Sequence, residues 1–212
     1  MQDHQFAKPW LPKEVRDNRL IALWLFPADS PLLPISKEEE TKAYQLNPRL
    51  RKQFQHSRGC VRKALADVLQ IPALDIPLKA NSNEPPSLPY GWGFISFSHC
   101  RDALFIGWSS ERIGVDIERS DRSIAAEAIA KRCFTKKDQH LLSSLGKEAL
   151  RKNVLKQWVI KESSIKWQRG KISKDLINWQ CSNDYLNAYH SSKNHHLRIT
   201  SLNHQDWQMS VA

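Results

Sequence analysis

Apolar residues in this chain come in short runs, and the longest, LIALWLF at 20–26, falls far short of the roughly 18 residues that a membrane helix needs. A chain built this way has to bury its apolar side chains against one another, in short strands and amphipathic helices, rather than in lipid. Its 212 residues suffice for one large domain or two small ones. With 41% hydrophobic and 25% charged residues the composition is globular, so a sizeable core is expected. The opening MQDHQFAKPW carries an acid and polar groups where a secretory signal would place a basic end and an apolar stretch; a cytoplasmic location is therefore expected. Cys60, Cys100, Cys133 and Cys181 form no CxxC pair, and His195 and His196 adjoin rather than standing four apart. Free thiols are expected, and a zinc or histidine-only metal site is not.

Lys and Arg number 32 against 22 Asp and Glu, a net charge of +10, which predicts attraction to phosphates, nucleic acid or an acidic protein surface. Charge alone does not choose among these.

The apolar run at 19–26 reads as a buried strand followed by a Pro-rich turn. Ser36 and Glu39 have capping-box spacing, which predicts a helix that yields near Pro48. From Arg49 onward Leu50, Phe54, Val61, Leu65 and Val68 recur at helical intervals, with Arg51, Lys52, Arg58, Arg62 and Lys63 expected on an opposite, cationic face. Prolines then predict a long loop from Ile71 to Pro89. The stretches WGFISFS, ALFIGW and RIGVDIE read as a three-stranded meander. Helical patterns run from Ser123 to about Arg169, with a cap signal at Thr135 and Asp138, and HLRIT and WQMSV predict closing strands of a second sheet. The order is α/β followed by α/β.

Three groups of residues carry chemistry. In RIGVDIE the apolar Ile113, Val115 and Ile117 take one strand face, so Asp116 and Glu118 share the other, roughly 7 Å apart. Such a pair suits a hard cation that keeps waters or substrate phosphates as further ligands, and equally suits an ordinary solvent face. In WVIKESSIK, Trp158, Glu162 and Lys166 continue the helical stripe of Leu150 and Val154. A carboxylate on an inward stripe needs a pair, hydrogen bonds or a metal; a Glu162–Lys166 ion pair alone would satisfy it. In FISFSHCRD, Ser98 and His99 end a strand before a turn. Adjacent strand residues face opposite ways and no GxSxG elbow surrounds Ser98, so phosphate contact is a more economical role than a hydrolytic pair.

Taken in order, SHC, GVDIE and WVIKESSIK resemble the Sfp-type 4'-phosphopantetheinyl transferases, with their Ser-His pair, G-[IV]-D-[IVL]-E and W-x-x-K-E-[AS]-x-x-K. The likeness spans about 54–166, including FQHSRGCVRKALADVL. It implies two similar α/β halves with a pseudo-twofold relation, 1–107 and 108–212, and an active site in the cleft between them. It also implies transfer of the phosphopantetheine arm of coenzyme A to a serine of an apo acyl or peptidyl carrier protein, with release of adenosine 3',5'-bisphosphate. By position, Asp116, Glu118 and Glu162 would hold Mg²⁺ or Mn²⁺, Glu162 would take the serine proton, and Lys166 would steady phosphate oxygens. Ser98, His99 and Lys161 would contact coenzyme A phosphates, and Arg62 the nucleotide's 3'-phosphate. A monomer is implied.

The chain departs from the family at Asn83-Glu84-Pro85, where many relatives carry Gly-Lys-Pro, and at Ser96, where an Asn is common. Arg49, Arg51 and Lys52 miss the positions of the family's lysines. These departures leave a catalytically weakened, carrier-binding member as one alternative. A basic nucleic-acid-binding module is another, but it leaves the carboxylates without a purpose.

Overall fold

The structure is a computed structural model that describes residues 20–79 and 84–212. The opening decapeptide, Arg19 and Asn83 lie outside the described residues. The described residues form two compact units, one drawn from Met1–Ile95 and Arg101–Arg112, the other from Ser96–Cys100 and Ile113–Ala212. The architecture is mixed α/β, with small antiparallel sheets.

In the first unit, β1 (Ile21–Pro27) runs antiparallel to β3 (Ala103–Ser109), with Trp24 opposite Ile106 and Leu25 opposite Phe105. Leu23, Trp24, Phe105 and Ile106 are completely buried, so β1 is covered on both faces, as its unbroken apolar run requires. Helix α1 (Lys37–Tyr44) starts at the expected capping box: Ser36 accepts from the Glu39 amide and Glu39 accepts from that of Ser36. Asn47 caps α2 (Pro48–Leu69), with Pro48 at the first helical position, where its missing N–H goes unused. Val61, Ala64 and Leu65 of α2 are buried as its period predicts. The opposite face is not uniformly cationic, however, because Arg58 and Arg62 are buried as well. The proline-rich stretch holds a 3₁₀ turn at Ala73–Asp75 and a bridge between Lys79 and Ser87.

The expected meander does not form. Strand β2 (Phe94–His99) joins β3 and β1 in the order β1–β3–β2, whereas β4 (Val115–Arg119) leaves for another sheet. There it pairs with β9 (Trp207–Val211), flanked in turn by β8 (Thr200–His204), in the order β4–β9–β8. A separate sheet in the second unit orders β5 (Trp179–Cys181), β6 (Asn187–His190) and β7 (His196–Arg198). The segment HLRIT is thereby divided between two sheets.

The helices of the second unit are α3 (Ala126–Cys133), α4 (Lys136–Leu142), α5 (Lys147–Gln168) and the short α6 (Ile172–Asp175). Thr135 caps α4 by accepting from the Asp138 amide, as its spacing predicts. Helix α5 is the unit's central beam: Ile160 and Ile165 join Trp179, Ala188 and Leu197 in one cluster, and Val154 joins Ala126, Ala130 and Phe134 in another. It ends on Arg169 in the left-handed conformation, φ 59°, with the Gly170 amide returning to the Ile165 carbonyl. Gly170, the residue that signals the stop in the sequence, stands one place beyond. None of the described helices is long and apolar enough to cross a membrane.

Candidate active site

Strand β4 and helix α5 meet at unusually short range, and small residues make this possible. An ideal Cβ on Gly114 would lie 1.9 Å from the Ser163 carbonyl oxygen and 2.4 Å from the Trp167 amide nitrogen. Only glycine fits there. Asp116 is paired in register with Ser210, whose hydroxyl sits 2.9 Å from that of Ser163, while Ser163 also donates to the Ile160 carbonyl at 2.9 Å. These small side chains seat the middle of α5 directly on the β4–β9 ladder. The face that carries Asp116 and Glu118 is thereby brought under the turn of helix that carries Glu162 and Lys166.

The carboxylates of this face are engaged by cations and hydroxyls of the same unit. Asp116 is buried at 2% exposure, and its Oδ1 accepts from Lys166 Nζ at 2.7 Å and from Ser98 Oγ at 2.6 Å. Its Oδ2 is also buried, yet has no hydrogen-bond partner among the described residues. Glu118 is ion-paired with Arg122. Burial raises the Glu118 carboxyl above its ordinary range, with Asp116 adding to the rise and Arg122 opposing it. The Glu162 carboxyl is pushed up to about 8, first by burial and then by the charge of Asp116, against the pull of Lys166, with Glu118 adding to the rise.

In place of the alternative Glu162–Lys166 pair, Lys166 pairs with Asp116, crossing from helix to strand. Among the described residues no group of three or more His, Cys, Asp or Glu side chains is gathered as a ready metal cluster. The donor chemistry nevertheless fits a hard divalent cation. A buried carboxylate oxygen stands without a partner, and burial together with the charges of neighbouring acids holds Glu162 above its normal range, the situation that an added positive charge relieves.

Other residues expected at the site are placed elsewhere or engaged otherwise. Lys161 is completely buried; its ammonium lies 3.4 Å from Asp138 Oδ2 and 4.1 Å above the Phe134 ring, so its charge is engaged within its own unit. One residue is about 100° of helix, which turns Lys161 into the α4 side while Glu162 faces β4. Arg62 is likewise committed within its own unit: Nε donates to Glu39 at 2.7 Å, and Nη1 to the carbonyls of Ala73 and Ile76 at 3.2 and 2.8 Å. It ties α1, α2 and the following 3₁₀ turn together, with its side chain 4% exposed. Ser98 gives its one hydroxyl proton to Asp116, which makes it an anchor for the carboxylate. Ser96 donates no such support but accepts from the Val115 amide at 3.0 Å. His99 is exposed at the end of β2. Reading the sequence for reactive groups passes over Gly114, Ser163 and Ser210, and the adjacent small residues of GVDIE and KESS are the signal of close approach that marks the first two.

Residues 112–212 match the family model described as the 4'-phosphopantetheinyl transferase superfamily. This part of the chain is similar to that superfamily's domain. Across a longer stretch, 173 residues covering 74% of this chain and 73% of the relative, the sequence is 27% identical to the 4'-phosphopantetheinyl transferase HetI of Nostoc sp.. The matched residues include Asp116, Glu118, Glu162 and Lys166, whereas Ser98, His99 and Arg62 precede them.

Proposed function

We propose that the protein transfers the 4'-phosphopantetheine group from coenzyme A to a serine of an apo acyl or peptidyl carrier protein and releases adenosine 3',5'-bisphosphate. The observation that carries this reading is the meeting of Asp116, Glu162 and Lys166 inside a phosphopantetheinyl transferase superfamily domain, with a buried Asp116 oxygen left unpartnered. Asp116 and Glu162, joined by Glu118, are the residues that would hold Mg²⁺ or Mn²⁺. When bound, such an ion supplies charge neutralisation at the pyrophosphate under attack.

Glu162 is suited to accept the proton of the attacking serine. Without a cation, burial and neighbouring acids push its carboxyl up to about 8, which makes it a stronger base than an exposed glutamate. Lys166 Nζ has three donors, of which Asp116 takes one, so the same ammonium can donate to a phosphate oxygen while Asp116 fixes its position. Ser98 and Lys166 together hold Asp116 Oδ1 and turn its second oxygen away from them. The net charge of +10 favours encounter with the polyanionic coenzyme and with an acidic carrier surface. In this reading the chain works as a monomer.

Intact-mass spectrometry of apo carrier proteins, incubated with the protein, coenzyme A and Mg²⁺ and with an EDTA control, tests the proposal. A gain of one phosphopantetheine mass that EDTA abolishes is expected. Failure of every carrier to gain mass while coenzyme A still binds would favour a carrier-binding member without transfer; failure of coenzyme A to bind would remove the enzymatic reading altogether.

A further inference from the structure

Glu118 is engaged by a contact that no motif predicts. Its partner is Arg122, four residues on, in the turn that follows β4. The half-exposed arginine reaches back over the strand end, while the Glu118 side chain is 17% exposed. What distinguishes this pair from an ordinary surface ion pair is the way its turn is fixed. The Arg122 amide donates to the Arg119 carbonyl at 3.1 Å, and the Ser120 amide to the Asp206 carbonyl at 2.7 Å. From α5, Arg151 Nη1 donates to the carbonyls of Ser120 and Arg122 at 2.8 and 3.1 Å. Arg151 is itself oriented by two hydrogen bonds to Glu148, at 2.9 and 2.8 Å. The segment from Ser120 to Arg122 is therefore pinned at Ser120 from the β8–β9 turn and at both ends from α5, which limits the entropy lost in placing the Arg122 guanidinium on Glu118.

A guanidinium and a divalent cation compete for the same carboxylate oxygens, and their like charges oppose joint occupancy. We infer that Arg122 is a positioning residue that competes with the divalent cation for Glu118, so that Glu118 enters the ligand set only when Arg122 lets it go. This rests on the cation reading proposed above. The resting site consists of Asp116 and Glu162, with Glu118 in reserve, and Arg122 sets the affinity for the free ion.

The test is Mn²⁺ binding to the whole chain without coenzyme A or carrier, read by electron paramagnetic resonance of the free aquo ion. Arg122→Gln should tighten Mn²⁺ roughly two- to five-fold, the scale set by a partly exposed ion pair. Arg122→Lys, which keeps the charge, should stay near wild type. In an E118Q background R122Q should give little of this gain, because the competition has lost its object. Unchanged or weaker binding in R122Q overturns the inference; weaker binding would make Arg122 an organiser of Glu118 rather than its competitor. Absence of Mn²⁺ binding in wild type and R122Q alike would overturn the cation reading itself. Binding by R122Q alone would support both.

Discussion

Replacing Gly114 with alanine tests the contact on which the whole site is built. The added Cβ would stand 1.9 Å from the Ser163 oxygen and 2.4 Å from the Trp167 nitrogen, where ordinary contact begins near 3.4 Å. Both obstacles are helix backbone, so no rotamer change relieves them, and β4 and α5 must part by about 1.5 Å. The Ser163–Ser210 contact at 2.9 Å and the Lys166–Asp116 pair at 2.7 Å do not survive such a separation unchanged. Overfilling a packed interior costs about 1–3 kcal/mol, and rigid backbone puts this case at the upper end. For a chain of this size that is a fall in Tm of roughly 5–10 °C. A shift near 1 Å at reacting groups commonly costs about 100-fold in rate, so transfer should fall by at least that factor. Gly146 is the control, because a Cβ there meets nothing within 4 Å; Gly146→Ala should change stability by no more than about 1 kcal/mol, the scale of a lost helix cap. Calorimetry and the carrier-modification assay read both effects. A Gly114→Ala protein with wild-type Tm and turnover would refute the close-packing argument.

Stability should also depend on pH through Glu162. Its folded pKa is raised, so between its ordinary 4.5 and about 8 the folded state keeps a proton that the unfolded chain releases, and stability falls as pH rises across that window. In EDTA the loss should be on the order of 5 kcal/mol by urea unfolding, about 1.4 kcal/mol for each pH unit of the window, and Glu162→Gln should flatten it; equal slopes in both proteins would contradict the assignment. Breaking the buried Lys161–Asp138 pair with Asp138→Ala leaves an ammonium without its counter-ion and should cost about 3–5 kcal/mol. The double replacement Lys161→Met, Asp138→Leu should recover most of that loss, and thermal unfolding of the single and double variants decides it.

Local patterns were readable wherever neighbours in the sequence are also neighbours in space. The capping box at Ser36 and Glu39, the Thr135 cap, the buried strand at β1 and the alternation that puts Asp116 and Glu118 on one face depend on contacts within a few residues. Long-range pairing was not readable in this way. RIGVDIE has the pattern of the third strand of a meander, yet it pairs with β9 almost 100 positions later, because period-two alternation names a face and never a partner. The same limit governs charge. The helical period puts Arg62 on a cationic face, and the family resemblance implies phosphate contacts for Arg62 and Lys161, while tertiary packing gives them Glu39 and Asp138 as buried partners.

The amino-acid order by itself determined which residue types could do chemistry: a co-facial Asp116 and Glu118, an inward Glu162 and a Lys166 one turn on. Only the tertiary structure decided how they are shared out, with Lys166 on Asp116, Arg122 on Glu118 and Glu162 left to carry the crowding of negative charge. The reason is physical. Helical and strand periods fix direction within an element, but the interaction of two charges depends on the distance and burial that packing sets, and here a glycine and two serines set both.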